Sequence, residues 1–312
     1  MKRYTNISNY QTGPGTVVTI GTFDGVHLGH QKILDRVTGI AKAEGLESLV
    51  LTFFPHPRMV LQAQSSVELL QTIDERAAHI EAKGIDHLVV HPFDQAFSRL
   101  TAEQYVKGVL VDQFNVKKIC IGYDHRFGCN RTADITDLIE FAKKYGFEVE
   151  QISAQEIDEV SVSSTKIRKA LQEGNVAVAK DYLGYSYQLS GNVVKGQQLG
   201  RTIGFPTANV QPTESYKLVP MKGVYAVTVT TPNGHYLGMC NIGTRPTVSN
   251  DSSVSIEVHL LDFQGDLYDQ NLQLTFVARL REEQKFSDIE TLKAQLAEDK
   301  ASTLAYFNAH VS

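Results

Sequence analysis

The sequence predicts an α/β protein in two parts. The N-terminal part is a doubly wound, mostly parallel sheet, and the C-terminal part is an antiparallel barrel or sandwich with a terminal helix. Two observations predict this: apolar strands alternate with amphipathic helices up to about residue 183, and short alternating strands separated by turns follow. The length of 312 residues agrees, because single hydrophobic cores rarely grow beyond ~250 residues. We expect domains at 1–184 and 185–312.

The N-terminal half alternates strand and helix signals in order. Runs of β-branched residues predict strands, and apolar stripes closed by a glycine predict helices. Thr72 with Glu75, and Thr101 with Gln104, have the spacing of capping boxes that open two of these helices. The predicted strands lie at 16–23, 48–54, 87–93, 117–122 and 147–153, and the helices at 30–44, 72–84, from 101 onward, 135–146 and 163–174.

The C-terminal half has a different rhythm. Short alternating strands are separated by turn signals such as the "PNG" at 232–234. A helix follows, with apolar positions that include Ile289, Leu292 and Leu296. The predicted strands lie at 187–196, 224–231, 235–243, 253–263 and 272–280, and the helix at about 288–307.

Composition narrows the class of protein. A net charge of -5 argues against a general nucleic-acid or membrane-surface binder. The three cysteines form no C-x-x-C pair, which fits buried thiols in a reducing compartment. The first residues lack the apolar run of a signal peptide, and no stretch approaches the ~18 apolar residues of a membrane helix. We therefore expect a soluble, cytoplasmic protein, with its oligomeric state left open.

The segment "GTFDGVHLGH" (21–30) places His27 and His30 where a predicted strand gives way to a helix. A zinc site would need further ligands, the H-E-x-x-H motif is absent, and the cysteines are scattered, so zinc is disfavoured. Packed or surface histidines are the simplest alternative. A phosphate site is the third interpretation, because a helix N-terminus attracts anions and Gly29 would let a phosphate approach the backbone.

A second segment of the same character is "SSTKIRK" (163–169) at another predicted helix start. Its hydroxyls and positive charges suit an anion. A capped helix with a solvated basic face explains this segment equally well when it is taken alone. The two segments together favour phosphate handling.

These residues carry a resemblance. "IGTFDGVHLGHQKIL" and "VSSTKIRKAL" resemble the H-x-G-H and S-S-T-x-I-R motifs of the nucleotidyltransferase superfamily, and "TFFPHP" and "IGYDHRFGCNR" resemble its flavin-nucleotide adenylyltransferase branch. "GNVVKGQQLGRTIGFPTANV", "GVYAV", "NIGTRPTV" and "IEVHLLDFQGDLY" resemble the riboflavin kinase domain. Together the two halves resemble the bacterial bifunctional riboflavin kinase/FMN adenylyltransferase (FAD synthetase) family.

The resemblance implies both a fold and a pair of reactions. The fold is a Rossmann-like nucleotidyltransferase domain followed by a β-barrel kinase domain. The barrel would phosphorylate riboflavin with ATP to give FMN, and the N-terminal domain would transfer an adenylyl group from ATP to FMN, giving FAD and pyrophosphate. Mg²⁺ is the implied cofactor, ATP the co-substrate, and flavins the substrate and product. The partners are thus small molecules, with no nucleic acid and no membrane.

In the N-terminal half the resemblance makes His27 and His30 the catalytic residues, which stabilise charge on the α-phosphate of ATP. The residues implied to bind ATP or its phosphates are Gly21, Phe23, Asp24, Gly29, Ser164, Thr165, Lys166 and Arg168. Candidates for contacts to flavin or nucleotide are His56, Asp124, Arg126 and Arg131. The chain departs from the family at Thr22, at His125 and at the residue after Arg131, which bears on substrate preference or rate.

In the C-terminal half the residues alone indicate little. "GFPTAN" is a proline-fixed turn that presents the Thr207 hydroxyl and the Asn209 amide oxygen, and Glu257 lies on the polar face of an alternating strand. A capped turn and an exposed carboxylate are the simplest interpretations. The resemblance instead makes Glu257 the base for the riboflavin 5′-hydroxyl and gives Mg²⁺ to Thr207 and Asn209. The residues implied to bind ATP here are Gly200, Arg201, Gly204, Thr207 and Asn209.

Two rival functions remain from the sequence. One is a nucleotidyltransferase for another phosphate ester with a degenerate barrel, and the other is a flavin-binding regulator without activity. The intact "GRTIGFPTAN" and "EVHLLDF" segments argue against the first. The presence of His27, Thr207 and Glu257 argues against the second. Arg279 and Arg281 are either phosphate or flavin contacts or simple surface charges, and surface charge is the preferred interpretation.

Overall fold

A computed structural model describes residues 1–61, 67–122, 125–153, 162–196, 199–244 and 254–310. The chain divides by its contacts into two compact units, Met1–Ser164 and Thr165–Ser312. The first unit is an α/β sheet domain and the second is built on a β-barrel, as the sequence predicts.

The first unit contains a six-stranded sheet in which every neighbouring pair is parallel. Its spatial order is β1-β4-β3-β2-β5-β6. The strands are β1 (Lys2–Tyr4), β2 (Thr16–Ile20), β3 (Glu47–Phe53), β4 (His87–His91), β5 (Val116–Gly122) and β6 (Glu148–Ile152).

Helices cover both faces of this sheet. Successive residues face opposite cores: Val17 and Val50 pack with the side of α1 and α3, whereas Val18 and Leu51 pack with the side of α6. The helices are α1 (Leu28–Glu44), α2 (Pro57–Leu61), α3 (Ile73–Glu81), α4 (Gln95–Ser98), α5 (Ala102–Tyr105), a π-helix (Val106–Gln113) and α6 (Ile135–Tyr145), with single 3₁₀ turns at Ile7–Asn9 and Cys129–Arg131. The doubly wound prediction is confirmed.

The topology singles out one place for a ligand. After β2 the chain builds β3 and then β4 on one side, and afterwards returns to place β5 on the other side of β2. Ligands of such sheets bind outside the carboxyl ends of the strands at this reversal. The loop that follows β2, residues 21–27, starts there.

Several local features that the sequence predicts are present in the structure. Both predicted capping boxes form, Thr72 with Glu75 and Thr101 with Gln104. The strand predicted at 16–23 ends at Ile20, because the backbone turns sharply with positive φ at Phe23 (47°) and Val26 (34°). Strand β1 was not predicted, since three residues carry almost no periodicity.

The second unit is a closed antiparallel barrel of six strands in the order β10-β11-β8-β7-β12-β9. Of the two architectures that the strand pattern allowed, the barrel is the one present, and its closure leaves no strand edge unpaired. The strands are β7 (Gln188–Val194), β8 (Ala208–Pro212), β9 (Gly223–Thr231), β10 (Gly234–Thr244), β11 (Val254–Leu260) and β12 (Asn271–Arg281).

Among the described residues, the helices that accompany the barrel are α7 (Ser164–Gln172), α8 (Val176–Leu183), α9 (Leu199–Thr202) and α10 (Ile289–His310). Helix α8 packs against β12, and α10 packs against β9, β10 and β12. All of α7 beyond its first residue, and all of α8, therefore belong by contact to the barrel unit. The boundary at 184/185 remains a prediction, because a division by contacts does not show where one part folds without the other.

Candidate active sites

The histidine loop, which we define as residues 21–30, joins β2 to the first turn of α1. Its start is tied to the neighbouring strand: Gly21 N–H donates to the Leu51 carbonyl at 3.1 Å, and Thr52 Oγ1 donates to the Thr22 carbonyl at 3.1 Å. These bonds fix the point at which the loop leaves the sheet.

His27 is the N-cap of α1. Its Nδ1 accepts the backbone N–H of His30 at 3.3 Å, and the two imidazole rings stack with centroids 3.7 Å apart and planes 17° from parallel. Because Nδ1 accepts, the neutral ring carries its proton on Nε2. The loop thus presents an N–H donor next to the positive end of a helix dipole.

Both imidazoles are neutral at pH 7. Burial lowers the pKa of His27 to about 4, against the opposing charge of Asp24. Burial also lowers the pKa of His30 well below its usual value, and interactions with the neighbouring His27 and with the Arg76 guanidinium lower it further. The Nδ1 atom of His30 is buried and has no hydrogen-bond partner among the described residues.

Asp24 belongs to the histidine loop, and its carboxylate faces the protein interior. It accepts the backbone N–H groups of Leu70 (3.1 Å) and Gln71 (3.2 Å) and lies 3.6 Å from the Arg76 guanidinium. Arg76 also donates to Thr52 Oγ1 at 3.3 Å, and both charged side chains are only 1% exposed. This buried pair links the loop to α3 and β3.

Sequence reasoning missed Arg76. The available signal was its position on the buried stripe of α3, next to Ala77 and one turn before Ile80. An arginine on such a stripe needs a partner, because a buried charge without one is strongly disfavoured.

The other residues predicted for this site are distributed as follows. Phe23 is buried with its ring 5.1 Å from that of His30, and a Cβ added at Gly21 would come within 3.2 Å of the Phe23 ring. Gly29 is buried in the first turn of α1. The Ser164 hydroxyl, at the start of α7, donates to the Asp24 carbonyl at 2.9 Å, which brings the second residue of the "SSTKIRK" segment to the loop.

Thr165, Lys166 and Arg168 continue along α7 and belong to the second unit, so their approach to the loop remains a prediction. His56 is buried, and its Nδ1 accepts the backbone N–H of Arg58 at 3.1 Å. Arg126 and Arg131 are exposed. Asp124 lies outside the described residues.

In the barrel, three polar side chains share one row across three strands. Asn209 of β8 is paired with Glu257 of β11, and Glu257 is paired with Asn241 of β10. Directly paired residues of antiparallel strands project to the same face, so the three side chains are neighbours. Thr207, just before β8, donates its hydroxyl to Glu257 Oε2 at 3.3 Å.

Tight backbone turns surround this row. Phe205 N–H donates to the Gly200 carbonyl at 2.8 Å, and a Cβ on Gly200 would lie 2.2 Å from the Phe205 oxygen. A Cβ on Gly196 would lie 2.2 Å from the Asn209 amide nitrogen, and Gly204 has a φ of 85°. Only glycine fits the close approaches at 196 and 200 without displacing backbone or the Asn209 side chain. Arg201 stacks over the Tyr268 ring at 5.7 Å.

The polar face of β11 is not an open surface. Glu257 is partly buried, and the flanking Ser255 and His259 are 7% and 8% exposed. The covering segment includes Pro206, whose carbonyl lies 2.7 Å from His259 Nδ1. The interpretation of Glu257 as an ordinary exposed strand carboxylate is therefore wrong.

The two arginines near the end of β12 make contacts with other segments of the second unit. Arg281 makes two hydrogen bonds of 2.7 Å to the buried Asp299 of α10. Arg279 donates to the Lys222 carbonyl at 2.9 Å. Both contacts are structural, and they differ from the free surface charge that the sequence favoured.

Two features of the described residues concern metal sites and membrane spans. Among them, no group of three or more His, Cys, Asp or Glu side chains could hold a metal ion. No helix within the described ranges is long and apolar enough to cross a membrane.

Comparison with known proteins decides the family. The model of FAD synthetase matches residues 10–166, and that of riboflavin kinase matches residues 183–307. The chain belongs to the bifunctional riboflavin kinase/FMN adenylyltransferase family. The adenylyltransferase lies in the N-terminal half and the kinase in the C-terminal half, and the chain is an enzyme that uses ATP and flavins.

Relatives of the same description match nearly end to end. The bifunctional riboflavin kinase/FMN adenylyltransferase of Pseudomonas fluorescens is 40% identical over 93% of each chain. That of Escherichia coli K12 is 37% identical over 98% of each. A solved structure from Streptococcus pneumoniae, described as a macrolide-efflux protein, shares the fold, with a TM-score of 0.87 and 30% identity over 97% of this chain and 98% of that one.

Proposed function

We propose that the histidine loop carries adenylyl transfer to FMN and that the row of Thr207, Asn209 and Glu257 carries the phosphorylation of riboflavin. The observation that carries the kinase assignment is the 3.3 Å contact between Thr207 Oγ1 and Glu257 Oε2, with Asn209 beside Glu257. Residues 50 positions apart in the chain thereby form one oxygen-lined cluster.

In the adenylyltransferase, an oxygen of the FMN phosphate attacks the α-phosphorus of ATP, and pyrophosphate leaves. The nucleophile is already an anion, so no enzyme base is needed. His27 donates its Nε2–H to an α-phosphate oxygen as charge develops there, with the N-terminus of α1 and His30 beside it. Ser164, Thr165, Lys166 and Arg168 bind the β- and γ-phosphates, while Gly21, Phe23, Asp24 and Gly29 shape the loop around the nucleotide.

In the kinase, the riboflavin 5′-hydroxyl oxygen attacks the γ-phosphorus of ATP, and ADP leaves. Glu257 accepts the hydroxyl proton as the new bond forms. The turn that contains Gly200, Arg201 and Gly204 wraps the nucleotide. Phosphoryl transfer depends mainly on such positioning and on charge stabilisation. The turn and the cluster around Glu257 would supply both.

Mg²⁺ fits the barrel cluster. The hydroxyl of Thr207, the amide oxygen of Asn209 and the neighbouring carboxylate of Glu257 are hard oxygen donors, and the glycine at 196 leaves room for the Asn209 amide. Thr207 and Asn209 would hold the ion. When bound, it would neutralise charge on the phosphate oxygens of ATP.

The remaining assignments belong to the same proposal. His56, Asp124, Arg126 and Arg131 contact flavin or nucleotide in the first domain, and Thr22 and His125 tune its substrate preference. The domains are 1–184 and 185–312. A cytoplasmic location accords with the ATP requirement and with the free Cys120, Cys129 and Cys240.

The test supplies the purified full-length protein with Mg-ATP and riboflavin, and separately with Mg-ATP and FMN, and separates the flavins by chromatography. We expect FMN and then FAD from the first mixture and FAD from the second. Production of FMN alone would contradict the role of the histidine loop. Absence of any product would contradict both assignments.

A further inference from the structure

His259 lies two residues beyond Glu257 on the same face of β11 and is 8% exposed. None of the roles that the resemblance assigns to residues of this chain involves His259. Its Nδ1 lies 2.7 Å from the carbonyl oxygen of Pro206, the residue before Thr207. A carbonyl oxygen only accepts, so Nδ1 carries the proton and donates.

The local sequence explains why a side chain is needed here. The ladder between β8 and β11 pairs Asn209 with Glu257 and Ala208 with Val258, and it ends there. Pro206 has no backbone N–H and cannot donate a further ladder bond. The His259 imidazole instead holds the Pro206 carbonyl, and so extends the attachment of the turn past the end of the ladder.

Three consecutive residues of the turn contact the polar face of β11. The Phe205 ring meets the His259 ring edge-on with centroids 5.5 Å apart, the Pro206 carbonyl accepts from His259, and the Thr207 hydroxyl donates to Glu257. His259 is therefore the only one of the two β11 side chains in these contacts that holds the backbone of the turn rather than its hydroxyl.

We propose that His259 is a positioning residue of the kinase site: its Nδ1–H fixes the Pro206 carbonyl and thereby sets the direction in which Thr207 and Asn209 face Mg-ATP. The inference rests on the proposed role of Thr207 and Asn209 in binding that nucleotide. A displacement of binding groups by about 1 Å lowers rates by up to ~10²-fold, which sets the scale of the expected effect.

The test uses three substitutions in the full-length protein. His259→Asn places an amide N–H donor where Nδ1 stood, His259→Gln places it one bond further out, and His259→Phe keeps a ring against Phe205 without a donor. His235→Phe, at an exposed histidine of the same barrel, is the matched control. Riboflavin kinase kinetics are measured for each variant, and the rates are divided by the folded fraction from circular dichroism.

We expect His259→Phe and His259→Gln to raise the KM for Mg-ATP and lower kcat/KM for it by ~10- to 100-fold, with the KM for riboflavin within twofold of the wild type. His259→Asn should recover kcat/KM to within about fivefold of the wild type, and His235→Phe should change nothing. Equal losses in all three His259 variants, or full activity in His259→Phe, would overturn the inference.

Thr207→Val separates this inference from the function on which it rests. If Thr207→Val leaves the KM for Mg-ATP unchanged, the proposed nucleotide site is wrong and the inference falls with it. If Thr207→Val raises that KM while His259→Phe does not, the nucleotide site stands and only the role of His259 is refuted.

Discussion

The two sites of this chain use their charged groups in opposite ways. In the histidine loop the carboxylate of Asp24 is turned inward onto backbone N–H groups and Arg76, and the neutral His27 imidazole presents a donor at the N-terminus of α1. In the barrel the carboxylate of Glu257 accepts the Thr207 hydroxyl and belongs to the cluster that we propose for the kinase reaction. Under the proposed assignment of the two sites, the nucleophiles account for the difference. An FMN phosphate is already anionic and needs only donors, whereas a riboflavin hydroxyl must lose a proton.

The variant with the largest expected effect is Glu257→Gln, which tests the role of the carboxylate in the kinase site. Glutamine keeps an acceptor for the Thr207 hydroxyl but takes up no proton, so the kinase rate should fall by ~10²- to 10⁴-fold. FMN adenylyl transfer by the same chain serves as the internal control and should be unchanged. A kinase rate within tenfold of the wild type would show that Glu257 is not the base, and the contrast between the sites would lose its chemical meaning.

Arg76→Met tests the buried support of the histidine loop. Removal of one partner from a buried ion pair destabilises a protein by ~3–5 kcal/mol, because the other charge is left without compensation. We expect a loss of that size in the free energy of opening of α3 amides, measured by hydrogen exchange, and slower adenylyl transfer with unchanged kinase activity.

A double variant separates the effect of the uncompensated charge from the effect of the packing lost at Arg76. Asp24→Asn combined with Arg76→Met removes both charges, so it should be more stable than Arg76→Met alone. If the double variant is less stable than the single one by the full effect of Asp24→Asn, the two side chains act independently and the ion pair does not support the loop.

His27→Asn tests the other of the two sites, the histidine loop. Asparagine is a good N-cap and can still accept the His30 N–H, but it lacks the Nε2–H donor. Adenylyl transfer should fall by ~10²- to 10³-fold, the usual effect of removing one donor to a developing negative charge. His27→Ala loses the cap as well and should be about 1 kcal/mol less stable. Equal loss of kinase activity in His27→Asn would refute the assignment of each site to its own reaction.

Much of the fold followed from sequence periodicity, and the failures share a cause. The long helices and the central strands carry their own apolar patterns and caps, such as the Thr72–Glu75 capping box. The sequence predicts a turn at "GFPTAN" (204–209) and no strand directly after it, but Ala208–Pro212 form β8 because β7 and β11 pair with them. Tertiary pairing overrides local propensity in such short segments.

The same distinction holds for the sites. Residues of the motifs could be proposed from the sequence, because the resemblance names them in order. Arg76 carries only a partial signal, since an arginine on the apolar stripe of α3 needs a partner but the sequence does not name it. The roles of Arg76 and His259 arise from contacts with Asp24 and Pro206, which lie 52 and 53 positions away along the chain. Nothing in the local pattern around "IEVHLL" indicates that the histidine faces a proline carbonyl.

A further expected effect is a dependence of stability on pH that arises from His27 of the histidine loop. Burial places the pKa of folded His27 at about 4, below its ordinary value of 6.5. Between these two pH values the unfolded chain binds a proton that the folded chain does not, so stability is complete above pH ~6.5 and falls as the pH drops toward 4. The loss from this group is at most about 3 kcal/mol.

Hydrogen exchange of α1 amides at several pH values, corrected for intrinsic exchange, measures this loss, with His27→Asn as the control that cannot titrate. Relative to the wild type, the variant should lose less stability between pH 6.5 and 4.5. If the His27→Asn and wild-type slopes are parallel, His27 already accepts a proton in the folded loop, and a neutral donor no longer distinguishes this site from the carboxylate site of the barrel.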